Sequence, residues 1–231
     1  MNRRFDFFIT GTDTGVGKTI VTAAILAALR GDGIDAVAMK PVQTGASRGR
    51  SPDLDVCAKA AKWRIPANEF EDLCPFRFSF PASPHLAARL ARRTIAPKKI
   101  IAAFHRLRRR HTAIIVEGAG GLLVPYGDAF DQGDLIAALN LPVVLVARAG
   151  LGTLNHTLLT VEALRRRKIP IALIVLSHAT GGTTEIERDN ETFLCKKMKP
   201  VPVVALPFLR RNNFAKAGVE MIRLLEDGSR Q

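Results

Sequence analysis

Residues 11–19 read Gly-Thr-Asp-Thr-Gly-Val-Gly-Lys-Thr, and this stretch decides the fold. A short apolar, β-rich run, Phe5 to Thr10, precedes it, and a helical pattern follows directly. In that pattern Ile20, Val21, Ala24, Ile25, Ala28 and Leu29 recur at helical spacing. Strand, glycine-rich turn and helix are the context of a phosphate-binding loop. Glycines let the backbone come close to phosphate oxygens and turn N–H groups toward them. The helix start adds positive potential. Lys18 then suits the β- and γ-phosphates, and the Thr19 hydroxyl suits magnesium. The usual pattern begins with glycine seven residues before the Ser/Thr. Here Thr12 holds that place and Gly11 comes one residue earlier, so the assignment rests on context.

Outward from this loop, strands and helices alternate. Ile34–Met39 reads as a second strand, Ile114–Val116 as a third, then Val143–Val146, Ile171–Leu176 and Val203–Ala205. Helical patterns cover 53–62, 87–93, 97–110, 153–168 and 214–225, while 46–85 is otherwise irregular and proline-rich. Alternation of this kind predicts an α/β fold: one doubly wound domain over residues 1–231, with a mainly parallel central sheet covered on both faces. Functional loops then gather at the carboxyl ends of the strands.

Composition narrows the class. Apolar residues make up 47% of 231, enough for a packed core. No apolar run reaches the roughly 20 residues of a membrane helix. MNRRFDFF lacks the features of a signal peptide, so a soluble, cytoplasmic protein is expected. Cys57, Cys74 and Cys195 are scattered, which fits a reducing compartment without disulfide or zinc. The net charge of +13 raises the question of nucleic acid. The cations cluster at Arg89–Lys99, Arg106–Arg110 and Arg165–Lys168, with no zinc-finger spacing and no aromatic RNA-binding signature. Solvated helix faces account for them, and no nucleic-acid or membrane partner is expected.

Three further strand ends carry chemistry. Lys40-Pro-Val-Gln-Thr-Gly45 ends the second strand beside the phosphate loop. Lys40 there suits an anionic intermediate, although the local pattern alone is met by a snorkelling lysine. Val116–Pro125 (VEGAGGLLVP) ends the third. Glu117 closing a buried strand needs a partner, either nucleotide-bound magnesium or a turn it caps. Asp53 and Asp55 begin a helix; each is a candidate cap, and one of them could complete magnesium's oxygen shell with Thr19 and Glu117. Ser83–Arg89 (SPHLAAR) starts another helix, with His85 read as structural. Gly150–His156 (GLGTLNH) opens a helix whose free N–H groups suit a carboxylate, with Thr153 as the expected N-cap.

GTDTGVGKT, KPVQTG, SPHLAA, VEGAGGLLVP and GLGTLNHTLLTVEAL, in this order and spacing, closely resemble the dethiobiotin synthetase family over about residues 5–210. The resemblance implies a P-loop NTPase-like fold and an ATP-dependent cyclo-ligase of biotin biosynthesis. Its substrates are 7,8-diaminopelargonic acid, CO2 and ATP, with Mg2+ required, in a cytoplasmic homodimer. It puts Gly15, Val16, Gly17, Lys18 and Thr19 on the nucleotide, with Ser177 and Pro207 near its base. It puts Thr12, Lys40 and Thr44 on the diamine and its carbamate, with Lys18 and Lys40 catalytic, and Thr19, Asp53 and Glu117 on magnesium. Gly152, Thr153, Leu154 and Asn155 match the helix start that receives the substrate carboxylate from the other subunit. The chain departs from the family at Ser177-His178, where many members carry Asn, and at Arg210-Arg211, where some carry an acid; base selectivity is what these departures put in doubt. The alternative is a ParA/MinD-type ATPase switch, but such switches carry an early loop lysine where this chain has Thr12-Asp13. A cobyrinic acid-type synthase would need an added glutaminase domain, and a nucleic-acid binder rests on charge alone.

Overall fold

The computed structural model describes residues 5–178, 183–209 and 213–228. In chain order the elements are β1 (Phe7–Gly11), α1 (Lys18–Gly31), β2 (Ala36–Met39), β3 (Val42–Gln43), α2 (Pro52–Ala60), α3 (Phe70–Leu73), β4 (Phe76–Arg77), α4 (Pro84–Leu90), α5 (Pro97–Arg110), β5 (Ala113–Gly121), α6 (Gln132–Leu139), β6 (Val143–Arg148), α7 (Thr153–Arg166), β7 (Ile171–Ser177), α8 (Glu185–Lys197), β8 (Val203–Leu206) and α9 (Phe214–Gly228).

Six strands form one parallel sheet in the order β2-β5-β1-β6-β7-β8. The inner strands are continuous apolar runs because helices cover both faces. Chain direction across the sheet reverses after β2, so right-handed crossovers put α1 on one face and α6, α7 and α8 on the other. α9 returns to pack on α1. Gly218 permits that contact: a Cβ there would collide with the Ala24 carbonyl oxygen and lie 2.7 Å from Ala28 Cβ. Ile25, Leu26 and Leu29 of α1 are fully buried, each contributing about 1.5–3 kcal/mol by transfer from water.

The reversal places β1 and β5 side by side, with both carboxyl ends at the same edge. Their pairing shifts register between Ile9 and Gly11, and Gly11 then pairs with Gly121. The phosphate loop and the glycine-rich end of β5 are therefore neighbours.

Several expectations are corrected. Residues 46–85 are mostly irregular outside α2, as expected, but they also hold α3, which packs on α5, and β4, which pairs in parallel with β3 just upstream. β5 runs to Gly121 rather than stopping at Val116: Gly120 turns at φ 70° where the register with β1 shifts, and Gly121 then pairs with Gly11. α6 and α8 were not read from the sequence. Both open with capping boxes, Asp131 with Asp134 and Thr184 with Glu187.

Many clustered cations are internally paired. Arg106 chelates Asp72, Arg110 reaches Glu69, and Arg108 reaches Asp6 at 3.2 Å. Arg167 grips both acids of the α6 capping box. Lys99 and Arg93 lie over the rings of Phe76 and Phe78. These contacts tie α5 to α3 and α7 to α6. No helix among the described residues is long and apolar enough to cross a membrane.

Candidate nucleotide and carbamate site

The phosphate loop depends on two left-handed residues. Gly15 has φ 73° and Gly17 has φ 102°, conformations that favour glycine. Gly17 is the N-cap of α1, and a Cβ on it would stand 2.5 Å from Ser177 Oγ. The loop thus rests on the end of β7 as well as projecting from β1. Lys18 turns back under it, its ammonium donating to the Asp13 carbonyl oxygen at 2.8 Å. Burial, and next the nearby Lys40 ammonium, pull Lys18 down to about 8. An anionic ligand would relieve both effects.

Lys40 leaves β2 into the same cleft and is 4% exposed, so it does not snorkel. Its ammonium lies 2.5 Å from Asp53 Oδ2 and 2.8 Å from Glu117 Oε1, and donates to the Gly118 carbonyl oxygen at 3.0 Å. Burial alone would lower its pKa; Glu117 and then Asp53 outweigh that and hold it above the usual lysine range. Thr19 donates its hydroxyl to Glu117 Oε1 at 2.8 Å. Thr19, Lys40, Asp53 and Glu117, from four different elements or their ends, thus meet at one point.

The choice between the two aspartates is made by packing. Neither caps α2: Ser51 does, accepting from the Leu54 N–H, with Pro52 at the first helical position. Ser51 in turn donates to buried Gln43 of β3 at 2.6 Å. This anchoring turns Asp53 into the cleft, while Asp55 faces away and pairs with Arg50.

The cleft holds about 710 Å³ and is lined by Gly15, Gly17, Lys18, Thr19, Lys40, Thr44, Asp53 and Glu117, with Pro81–Pro84 closing one side. A second cavity of about 210 Å³ lies across the phosphate loop. Gly15, Val16, Gly17, Ser177, His178, Pro207 and Phe208 line it. The two cavities share Gly15, Gly17 and Ile20 of the loop and α1; the first is lined by charged side chains and the second is largely apolar.

Some expected residues lie elsewhere. Thr12 is not on the cleft wall; its N–H is tied to the Val146 carbonyl oxygen at 2.9 Å. Gly152–Asn155 line neither cavity of this chain. Thr153 is not the cap of α7: Gly152 is, at φ 89°, and Thr153 is buried with its hydroxyl 3.3 Å from that of Thr157. Leu154 is half-buried and Asn155 exposed on the same turn. Arg210 and Arg211 lie outside the described residues.

Gln132 escaped the sequence reading. Fully buried, it donates to Thr10 Oγ1 at 2.7 Å and to the Gly121 carbonyl oxygen at 3.1 Å, and accepts from the Tyr126 hydroxyl. A Cβ on Gly118 would collide with its amide. Gln132 therefore fixes the ends of β1 and β5, which carry the loop and Glu117. Asn190 does similar work from α8, donating to the carbonyl oxygens of Ala149 and Gly150 before α7. No local motif announces either residue; only the packing of α6 and α8 on the sheet does.

A family model described as an AAA domain matches residues 6–211. An ATP-dependent dethiobiotin synthetase BioD of Anaeromyxobacter dehalogenans (strain 2CP-C) is 51% identical over 87% of this chain and 89% of its own length. The chain belongs to the dethiobiotin synthetase family. A similarly named protein of Anoxybacillus flavithermus is 43% identical over 86% of this chain and 89% of its own. That of Bacillus subtilis (strain 168) is 35% identical over 87% and 85%. Among solved structures, chloroplast FtsY of Physcomitrella patens matches with TM-score 0.55 at 14% identity, over 94% of this chain and 66% of that one. At that identity the likeness concerns the fold alone. It agrees with the parallel sheet and loop described above. Dethiobiotin synthetase membership is carried instead by the sequence relatives.

Proposed function

We propose that this chain is an ATP-dependent dethiobiotin synthetase in which the 710 Å³ cleft activates and closes a carbamate of 7,8-diaminopelargonic acid. The observation that carries the reading is the buried Lys40 ammonium in one cleft with the phosphate loop. A nucleotide switch of the ParA/MinD type would carry its second lysine early in the loop, where this chain has Thr12-Asp13.

One amine of the substrate takes up CO2 and loses a proton, giving a carbamate. A carbamate oxygen attacks the γ-phosphorus of ATP, and ADP leaves. The second amine then attacks the carbonyl carbon of the carbamic-phosphoric anhydride, closing the urea with loss of phosphate and a proton. No side chain needs to act as a covalent nucleophile, so catalysis is positioning and electrostatics. Lys18 and the loop N–H groups hold the transferring phosphoryl group. Lys40 holds the carbamate and its phosphorylated form, with Thr44 beside it on the cleft wall.

Magnesium fits the oxygen donors Thr19, Asp53 and Glu117, because two carboxylates already converge on one cation and the Thr19 hydroxyl bonds one of them. Among the described residues no cluster of three His, Cys, Asp or Glu forms a closed cage. Two carboxylates and a hydroxyl suit an ion that takes its remaining ligands from phosphates and water. Once bound it would neutralise charge on the phosphates. In this reading Gly152–Asn155 receive the substrate carboxylate of the partner chain in a homodimer. Exposed Leu151 and Leu159 beside that helix start support a covered face. The cytoplasm is the expected location.

The test is direct. With ATP, Mg2+, bicarbonate and the diamine, mass spectrometry finds dethiobiotin in step with phosphate release, and avidin does not inhibit. Strong hydrolysis stimulated by DNA or lipid, with no product, would overturn the assignment.

Base selectivity is expected to be modest. Val16, Ile20, Pro207, Phe208 and Leu209 make much of the wall of the 210 Å³ cavity, with Ser177, His178 and Arg148 as its polar side chains and no Asn or acid among them. Strong discrimination requires buried polar groups that a wrong base leaves unpaired. Turnover with GTP and with CTP at matched Mg2+ should fall by less than about a thousandfold relative to ATP. Rejection of both beyond that contradicts the reading.

A further inference from the structure

Asp53 and Glu117 are asked to serve two cations. Both hold the Lys40 ammonium, at 2.5 and 2.8 Å, and both are the acids suited to magnesium. Glu117 Oε1 is already shared between Lys40 and the Thr19 hydroxyl, so the oxygen nearest the phosphate loop is fully engaged. The rest of the Lys40 shell is the Gly118 carbonyl oxygen. An ammonium and a divalent ion drawn to the same two carboxylates, buried Glu117 and half-buried Asp53, repel one another at the edge of a poorly screened space. Each weakens the other's hold on the pair.

We infer that Lys40 is an internal competitor of the divalent cation, and that loading of metal with nucleotide is what frees its ammonium for the carbamate. The inference rests on the proposed synthetase reading of the cleft. It adds an order to the events there. Without nucleotide, Lys40 neutralises Asp53 and Glu117 and keeps metal affinity low. When a metal–nucleotide complex arrives, the phosphates supply extra ligands and pull the ion onto the acids, and Lys40 loses partners. A carbamate then gives it a new anionic partner. Because coupling is reciprocal, a carbamate that draws Lys40 away also tightens metal binding. The carbamate and the metal–nucleotide complex thus favour each other's binding, and hydrolysis of ATP in the absence of the diamine is held back.

The test measures metal binding to the nucleotide-free protein, with Mn2+ as the probe, by electron paramagnetic resonance of the free ion. Lys40→Met removes the charge and keeps the chain length. It should bind Mn2+ about 10- to 100-fold more tightly than wild type, within the usual range of coupling between two sites. Lys40→Arg, which keeps a cation there, should stay near wild type. Should Lys40→Met not fold, Lys40→Gln is the substitute: its amide donates to the carboxylates without charge. Either neutral variant should also gain thermal stability on adding Mn2+ where wild type gains little. Equal Mn2+ affinity in wild type and the folded neutral variant overturns the competition. So does failure of both neutral variants to fold even with Mn2+ present. Dethiobiotin formation is followed in parallel. Unchanged Mn2+ affinity with lost turnover removes the competition and leaves the synthetase reading intact. Tighter Mn2+ with normal turnover keeps the competition and removes Lys40 from the proposed chemistry.

Discussion

Lys18→Ala should lose at least about a thousandfold in turnover while keeping its fold, since removing a group aimed at developing charge costs on this scale. The ammonium lies beneath the loop, where it is 6% exposed and donates to the Asp13 carbonyl oxygen. Burial there pulls it down to about 8, so the folded protein gains little from holding a charge at this place without an anion. A surface ion pair would contribute little to either folding or rate. A cation in a poorly solvated cleft, facing phosphate that gains charge during transfer, contributes far more. Circular dichroism and thermal melting would report a folded variant. Single-turnover phosphate release would report the loss. A folded variant with near-normal turnover would remove the phosphate-loop assignment, and with it the whole reading of the cleft.

Mixing two inactive variants should restore activity from nothing to about one quarter of wild type, if each site is built from two chains. Gly152–Asn155 line neither cavity beside the phosphate loop, yet they begin α7 at a glycine cap with no side-chain partner. N–H groups at such a start suit a carboxylate. Lys18→Ala damages the loop side, and Gly152→Asp puts negative charge at the helix start. Gly152 has φ 89°, which aspartate tolerates better than most residues. In an isologous dimer, each mixed pair has one doubly damaged site and one undamaged site. Random exchange makes about half of the dimers mixed, hence the quarter. Native mass spectrometry would establish that exchange occurred. An exchanged mixture that stays inactive rejects the shared site without touching the enzyme assignment.

Much of the site could be read along the chain because phosphate binding is a local problem. A strand, two left-handed glycines and a helix beginning Lys18-Thr19 are contiguous, and their chemistry follows from spacing. The same holds for Lys40 and Glu117, which follow the paired Met39 and Val116 on neighbouring parallel strands and so reach one edge together. The capping of α2 was not legible in this way. Ser51, Asp53 and Asp55 all suit a helix start, and it took the bond from Ser51 to Gln43, made by the β3–β4 pair, to orient the turn. Gln132 and Asn190 were invisible for a related reason: their buried amides donate to partners 11 to 122 residues away, not to neighbours.

By itself the sequence determined the parallel α/β fold, the phosphate loop and the set of charged residues for the chemistry. Periodicity, glycine placement and strand-end position are short-range properties that sterics and the hydrophobic effect act on directly. Only the tertiary structure decided which aspartate faces the cleft, that Thr12 stands apart from it, and that Lys40 shares Glu117 with Thr19. Those outcomes depend on distances between side chains from different strands and helices. Such distances are set by how β1, β5 and β2 lie against one another once α1 and α9 close over them. Coulomb interaction and desolvation vary steeply over a few ångströms, so residue identity alone leaves open which acid and which lysine meet.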